Sequence, residues 1–187
     1  IDIAISGDSV GPVEATNNVI GGPLGPAEEQ SAACDGPCNV ISGAVDGINL
    51  AAPGSDIPAS STDIAGNHIG LDQTGTAAVE NTDDGIDAGA ADTDVQQNAI
   101  TGGTTAFTGG SQDELVELLN NVIGTNSLGT ASLDPPTVFG IQVVSGNAAD
   151  GAQVDNNRIS MATGTAVETT GEGADILDTK IGIGSGG

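Results

Sequence analysis

Few side chains in this protein can do chemistry, and most of those that can are carboxylates. Cys34 and Cys38 are the only cysteines, in the string Cys34-Asp35-Gly36-Pro37-Cys38. A pair this close, with Gly and Pro between, fits a disulfide closing a small turn. Structural zinc wants four ligands, and only His68 stands by besides the acids. A catalytic dithiol usually has two intervening residues rather than three. A disulfide implies an oxidising setting, so an extracellular or cell-surface protein is expected. Asp83, Asp84 and Asp87 sit close together around Gly85-Ile86. Two carboxylates can hydrolyse a glycosidic bond, and several can ligate Ca²⁺. On a strand Asp83 and Asp87 share a face while Asp84 takes the other. Acidic neighbours are so common here that the grouping is a weak signal for either chemistry.

The charge balance narrows the partners. There are 26 acidic residues against two basic ones, Arg158 and Lys180, for a net charge of −24. A nucleic-acid surface needs Lys and Arg to neutralise phosphates, which argues against that class. No run reaches the ~18 apolar residues of a membrane-crossing helix, so no membrane insertion is expected. A lyase acting on uronates would need Arg or Lys to abstract a proton and neutralise the substrate, and Tyr and Trp, the usual sugar platforms, are absent. A carbohydrate-active protein, binding or degrading polysaccharide, is therefore an alternative rather than the leading expectation. The acidity itself reads as a well-solvated surface, or as a surface that takes up cations. Like charges stacked ~4.8 Å apart repel by ~0.9 kcal/mol even in water, which cations would relieve. No cofactor is required by any motif, and Ca²⁺ is the ion the hard oxygen ligands would suit.

What positions these residues is a repeat. An apolar residue, two others, Asn, any residue and Ile recur as Ile64-Ala65-Gly66-Asn67-His68-Ile69, Val95-Gln96-Gln97-Asn98-Ala99-Ile100, Leu118-Leu119-Asn120-Asn121-Val122-Ile123 and Val154-Asp155-Asn156-Asn157-Arg158-Ile159. Looser copies end at Ile20, Ile41 and Ile181. Steps between successive Ile residues (20, 41, 69, 100, 123, 159, 181) are 21, 28, 31, 23, 36 and 22. The shortest fit one coil of three short strands, and the longer ones fit the same coil with an inserted loop. Between copies, Gly precedes an alternating apolar pair at Gly47-Ile48-Asn49-Leu50, Gly85-Ile86-Asp87-Ala88 and Gly140-Ile141-Gln142-Val143. That alternation is a half-buried strand, and the Gly fits a turn or bulge. A third element, Ile69-Gly70-Leu71-Asp72-Gln73-Thr74-Gly75-Thr76-Ala77, matches Ile123-Gly124-Thr125-Asn126-Ser127-Leu128-Gly129-Thr130-Ala131.

These patterns predict one all-β domain over residues 1–187, a right-handed parallel β-helix of about seven coils with loop insertions. A core of Ile, Val, Leu and Ala, with Phe only at 107 and 139 and with 30 Gly, suits such thin layers. Ile20, Ile41, Ile69, Ile100, Ile123, Ile159 and Ile181 are expected to form one inner row, each burial contributing ~1.5–3 kcal/mol. Asn39, Asn67, Asn98, Asn121 and Asn157 are expected to form a corner ladder, tolerating left-handed backbone and bonding from coil to coil. Asn18 should extend it, and Thr179 should end it. The parity of His68 points it outward into solvent. Arg158 and Lys180 share its slot, their heads set to neutralise neighbouring carboxylates. Ser111-Gln112-Asp113-Glu114 is a capping-box pattern before Leu115-Val116-Glu117-Leu118-Leu119. A helical turn there competes with the use of Leu118 in the repeat.

The strings Asn18-Val19-Ile20-Gly21-Gly22, Cys38-Asn39-Val40-Ile41-Ser42-Gly43 and Gly66-Asn67-His68-Ile69-Gly70-Leu71-Asp72-Gln73-Thr74-Gly75-Thr76-Ala77-Ala78 resemble the parallel β-helix repeats of large secreted and cell-surface proteins of bacteria and archaea, with their Asn-x-Ile-Gly-Thr-Asp-x-x-Gly-Thr strings. The resemblance covers nearly the whole chain and implies fold rather than activity. The strand-like strings Ile1-Asp2-Ile3-Ala4-Ile5 and Ile181-Gly182-Ile183 suggest continuation into adjoining domains or end-to-end contact with another copy. A head-to-tail contact that does not close gives a filament. The leading expectation is thus a structural or adhesive scaffold. A calcium-binding solenoid, or an ice-binding one using a partial row of Thr76, Thr130 and Thr165, is the remaining alternative.

Overall fold

The computed structural model describes residues 3–4, 16–22, 33–50, 60–89, 92–110, 115–133, 138–145, 151–160 and 164–182. The strands come in six successive threes. These are β1 (Ile3–Ala4), β2 (Thr16–Gly21) and β3 (Val40–Ile41); then β4 (Ile48–Asn49), β5 (Ser60–Ala65) and β6 (His68–Ile69). Next come β7 (Asp84–Gly89), β8 (Thr93–Gln96) and β9 (Ala99–Ile100), then β10 (Thr105–Gly109), β11 (Val116–Leu119) and β12 (Val122–Ile123). The last are β13 (Phe139–Ser145), β14 (Gln153–Asp155) and β15 (Arg158–Ile159), then β16 (Val167–Gly171), β17 (Asp175–Leu177) and β18 (Lys180–Ile181). Each strand pairs in parallel with the strand three places on, giving three six-stranded parallel sheets. There is no helix among the described residues.

Because the pairing is in register, each sheet stacks like on like. The first buries Ile48, Ile86, Phe107 and Ile141 in one row, with the half-buried Val167 of β16 continuing it. The second aligns Ile20, Ile64, Val95, Leu118, Val154 and Ile176. The third aligns Ile41, Ile69, Ile100, Ile123, Ile159 and Ile181. Phe107 is the one aromatic in the central core, and Gly109 makes room for it: a Cβ there would come within 2.9 Å of the Phe107 ring.

Two expectations about the first repeat are corrected by this register. Ile20 lies in the second sheet over Ile64, so it is not part of the Ile69 row. Asn18 pairs with Thr62 and donates to its hydroxyl at 3.2 Å, outside the Asn ladder. The physical reason is the insertion between Gly22 and Asn39. It splits one copy of the motif, so that Asn18-Val19-Ile20 imitates a complete copy while Ile20 and Asn39 belong to the same one. Six repeats are seen among the described residues, where about seven were expected.

The ladder itself is present from Asn39 through Asn67, Asn98 and Asn121 to Asn157. Each of the first four donates its backbone N–H and its Nδ2 to the Oδ1 of the next, at 2.9–3.2 Å. The Nδ2 groups of Asn67, Asn98, Asn121 and Asn157 also donate to carbonyls of the preceding repeat, those of Ile20, Ile64, Val95 and Leu118, at 2.7–2.9 Å. Thr179 ends the series: its hydroxyl accepts from Asn157 N–H and donates to Val154. The left-handed backbone falls one residue earlier than expected, on Gly66, Gln97, Asn120, Asn156 and Asp178 (φ +44° to +67°). The ladder Asn is thereby left free to turn its amide inward.

The Gly before each Ile of the first sheet also has a different role from the expected turn or bulge. A Cβ on Gly85 would stand 2.6 Å from the carbonyl of Ala106 and 2.8 Å from Cγ2 of Ile100. Gly47 and Gly140 meet Ile69 and Ile159 in the same way. These glycines are seats for the Ile row of the third sheet. The competing helix is also decided: Ser111–Glu114 lie outside the described residues, and Val116–Leu119 form strand β11 with Leu118 buried.

The ladder yields a prediction. Asn98→Ala leaves the buried N–H of Asn67 without its side-chain acceptor and takes the Nδ2 donor from the carbonyls of Ile64 and Gln96. At about 1–3 kcal/mol for an unsatisfied buried group, the expected loss is roughly 2–3 kcal/mol. Asn39→Ala, at an exposed rung, should cost less than about 1 kcal/mol. Urea unfolding midpoints of the two variants would compare them directly, and equal losses would contradict the ladder's role.

Candidate functional site

Three groups of side chains concentrate the polar chemistry. The first is an acidic row on the outer face of the second sheet. Asp63, Asp94 and Glu117 are in register on β5, β8 and β11, one residue before the apolar row, and Gln153 and Asp175 continue the line. Burial, then the fields of Glu117, Asp63 and Asp92 and a hydrogen bond to Glu117, push Asp94 up from 3.8 to about 6. Repeat alignment makes this row visible in the sequence, as the residue before Ile64, Val95 and Leu118.

The second group gathers Asp83, Asp84 and Asp87 with Asp46. The Asp84 carboxyl is pushed up to about 6, first by burial and then by the fields of Asp83, Asp87 and Asp46, against a hydrogen bond from Thr105 that lowers it. Asp87 is raised too, chiefly by burial. Asp46 Oδ2 accepts from the amide of Asn49 at 2.9 Å, and its Oδ1 accepts from the N–H of Asp84 at 3.4 Å. The three expected residues are therefore neighbours. Even so, no three His, Cys, Asp or Glu side chains among the described residues converge in a way that would hold a metal ion.

The third group is an outer layer over the third sheet. Its outward slot runs Val40, His68, Ala99, Val122, Arg158, Lys180. The expected solvation of His68 is corrected here. Its ring does point away from the Ile row, yet it is only 5% exposed, and Ala99 and Val122 are buried beside it. Two matching loops follow these strands, the first meeting the His68 ring and the second the Arg158 guanidinium. Asp72 closes the first by accepting from the N–H of Thr76 and Ala77 through Oδ1, and Asn126 closes the second on Thr130 and Ala131. Gly75 and Gly129 turn them with φ +65°. Ser127 N–H donates to the Gly75 carbonyl at 2.8 Å, joining the loops across the intervening repeat, whose corner is the short Thr101-Gly102-Gly103. Cys34 and Cys38 form the expected disulfide, and Cys34 N–H donates to the Gln73 carbonyl at 2.8 Å.

Within this layer His68 Nδ1 lies 3.3 Å from the carbonyl oxygen of Asp72, and burial holds the imidazole below its ordinary 6.5. Hydrogen bonds from the Thr74 hydroxyl and the loop amides hold the Asp72 carboxyl low. Arg158 uses its guanidinium on the Leu128 and Gly129 carbonyls at 3.3 and 3.2 Å, where carboxylate partners were expected. A Cβ on Gly129 would strike that guanidinium. Lys180 is exposed beside a shallow surface depression lined by Asn120, Asp155, Asn156 and Asp178. Thr76 and Thr130 are exposed on the two loops, and Thr165 is exposed before β16.

Sequence reasoning missed Asn81. It is wholly buried at another corner, where its Oδ1 accepts from Ala44 N–H and its carbonyl from Gly103 N–H. It stands alone in its repeat and so left no periodic signal. Comparisons with protein-family models, curated proteins and solved structures gave no match.

The raised carboxyls fix the sign of a pH effect. A group bound to its proton more tightly when folded stabilises the fold fully below pH 3.8, and that stability is lost as pH rises through about 6. Asp94→Asn should therefore raise the thermal midpoint at pH 7 and flatten its decline between pH 4 and 7. Allowing for solvent screening of a group that is not fully buried, the expected gain is about 1 kcal/mol. Calorimetry across that range checks it, and a variant destabilised at pH 7 would refute the account of burial and like-charge repulsion.

Proposed function

We propose that the three sheets wind as a right-handed parallel β-helix of six coils, and that this solenoid is a structural or adhesive scaffold outside the cell. Right-handedness follows from the strong preference of parallel crossover connections. The scaffold reading is supported by where the polar chemistry is spent. The ladder amides, the loop carboxamide of Asn126, the Asp72 carboxylate and the Arg158 guanidinium all hold one segment of the chain to another. The disulfide supports an oxidising compartment.

The observation that carries the mode of action is a difference between the two ends. At the β16–β18 end the core rows stop on half-exposed residues, with Ile176 47% and Ile181 56% exposed. At the other end the corresponding Ile20 and Ile41 are only 6% and 3% exposed. Unpaired strand edges backed by core-row side chains are surfaces that solenoids bury against something. The scaffold therefore engages its neighbour, an adjoining domain or a second copy, through the β16–β18 end. The contrast between the ends favours one-sided docking over an open head-to-tail filament.

Negative-stain images and light scattering at high protein concentration test this. Pairs joined at one end are expected, and Ile181→Asp should return them to single particles. Long filaments would restore the two-ended scheme. Single particles at every concentration would rule out self-association and leave an adjoining domain as the neighbour.

A further inference from the structure

We propose that the outer loop layer is a pH-sensitive latch and that His68 is its trigger. The geometry that carries this is the position of the one histidine in the chain. His68 projects from β6 into a slot flanked by Val40 on β3 and Ala99 on β9, neither of which bears charge. The loop over it supplies the one charged group acting on the ring, Asp72, and the nearby Cys34 and Cys38 are joined and do not titrate. Nδ1 contacts the Asp72 carbonyl oxygen, so the neutral ring holds its proton on Nδ1 and donates it there. The second proton must then go to Nε2, which turns a nearly buried neutral ring into a cation.

A buried imidazolium needs water or an anion against it. The Asp72 carboxylate is turned away to its own loop, its Oδ1 accepting from the Thr76 and Ala77 amides and its Oδ2 from the Thr74 hydroxyl, and it makes no hydrogen bond to the ring. The remaining way to solvate the charged ring is to lift the Asp72–Ala77 loop. That movement strains two couplings, Cys34 N–H to Gln73 and Ser127 N–H to Gly75, so opening spreads from the disulfide turn to the second loop. Opening uncovers the outer slot of the third sheet, in which Ala99 and Val122 are buried. Acidification below the ordinary histidine range thus bares an apolar strip, while the central core and the Asn ladder lie on the other side of the sheet. The sign is opposite to that of Asp84 and Asp94, because a proton that binds more weakly in the folded state costs stability as pH falls below 6.5.

A single histidine gives a single imidazole resonance, so the intact protein can be titrated by NMR without ambiguity. The resonance is expected to titrate below 6.5. Over the same range, exchange of the Asp72, Thr76 and Ala77 amides, corrected for intrinsic rates, should accelerate roughly tenfold or more as local opening becomes favourable. Ladder amides such as Asn98 should keep their protection. His68→Gln, which keeps a neutral donor in the slot, should hold the loop amides protected throughout, and His68→Leu serves if the Gln variant folds poorly. An imidazole titrating at 6.5 or above, loop protection that ignores pH, or an unchanged pH response in the variants would each overturn the latch.

Discussion

Every residue in the sheets of this protein must tolerate its own counterpart on the strands on either side, ~4.8 Å away. In-register parallel stacking imposes this, and most of the structure follows from it. Isoleucine meets isoleucine, and the row is a dry column of branched side chains. Asparagine meets asparagine, and because an amide is both donor and acceptor the column satisfies itself, using its spare proton on the carbonyl of the preceding repeat. A carboxylate has no such self-complementarity. Where Asp63, Asp94 and Glu117 fall in line, burial and the neighbouring carboxylates push Asp94 up to about 6, so the row costs stability once pH rises above that.

The same constraint explains the glycines. Three sheets can close around a thin core only if some corners let backbone approach backbone. Gly47, Gly85 and Gly140 are those places, each receiving a methyl of the Ile row together with a carbonyl or amide of the adjoining repeat. The core needs no aromatic girders, and the single large ring, Phe107, is accommodated by the missing side chain of Gly109. The third sheet differs from the other two in carrying a second layer. Its strands are two residues long, and loops fold back over their outer face. That layer is where the disulfide, the histidine and the better-held of the two basic residues are all found. The scaffold reading and the latch reading therefore draw on different parts of the molecule, the stack end and the outer layer.

Much of this was legible in the sequence. The repeat of apolar, Asn and Ile at a coil-like spacing specified parallel β stacking, five of the six expected ladder Asn residues and six of the seven expected row Ile residues. The two misplacements, Asn18 and Ile20, share a cause: a local string copied the motif, and only strand pairing could show that an insertion had split the genuine copy. The disulfide was legible from spacing alone. The acidic row was legible in principle, since the residue before each apolar start is acidic in three consecutive repeats.

What the tertiary structure alone decided concerns contacts between residues that no local pattern relates. Parity sends His68 outward, and outward ordinarily means solvent; whether a loop four residues further on folds back over it depends on hydrogen bonds to another insertion two repeats away. Parity likewise cannot say that Arg158 finds carbonyls instead of acids, or that Ile20 and Ile41 are buried while Ile176 and Ile181 are half-exposed. Periodicity determines which residues share a face, because backbone geometry repeats from one strand to its in-register partner. What covers that face is set by the insertions, which break the period, and so it emerges only when the chain is folded.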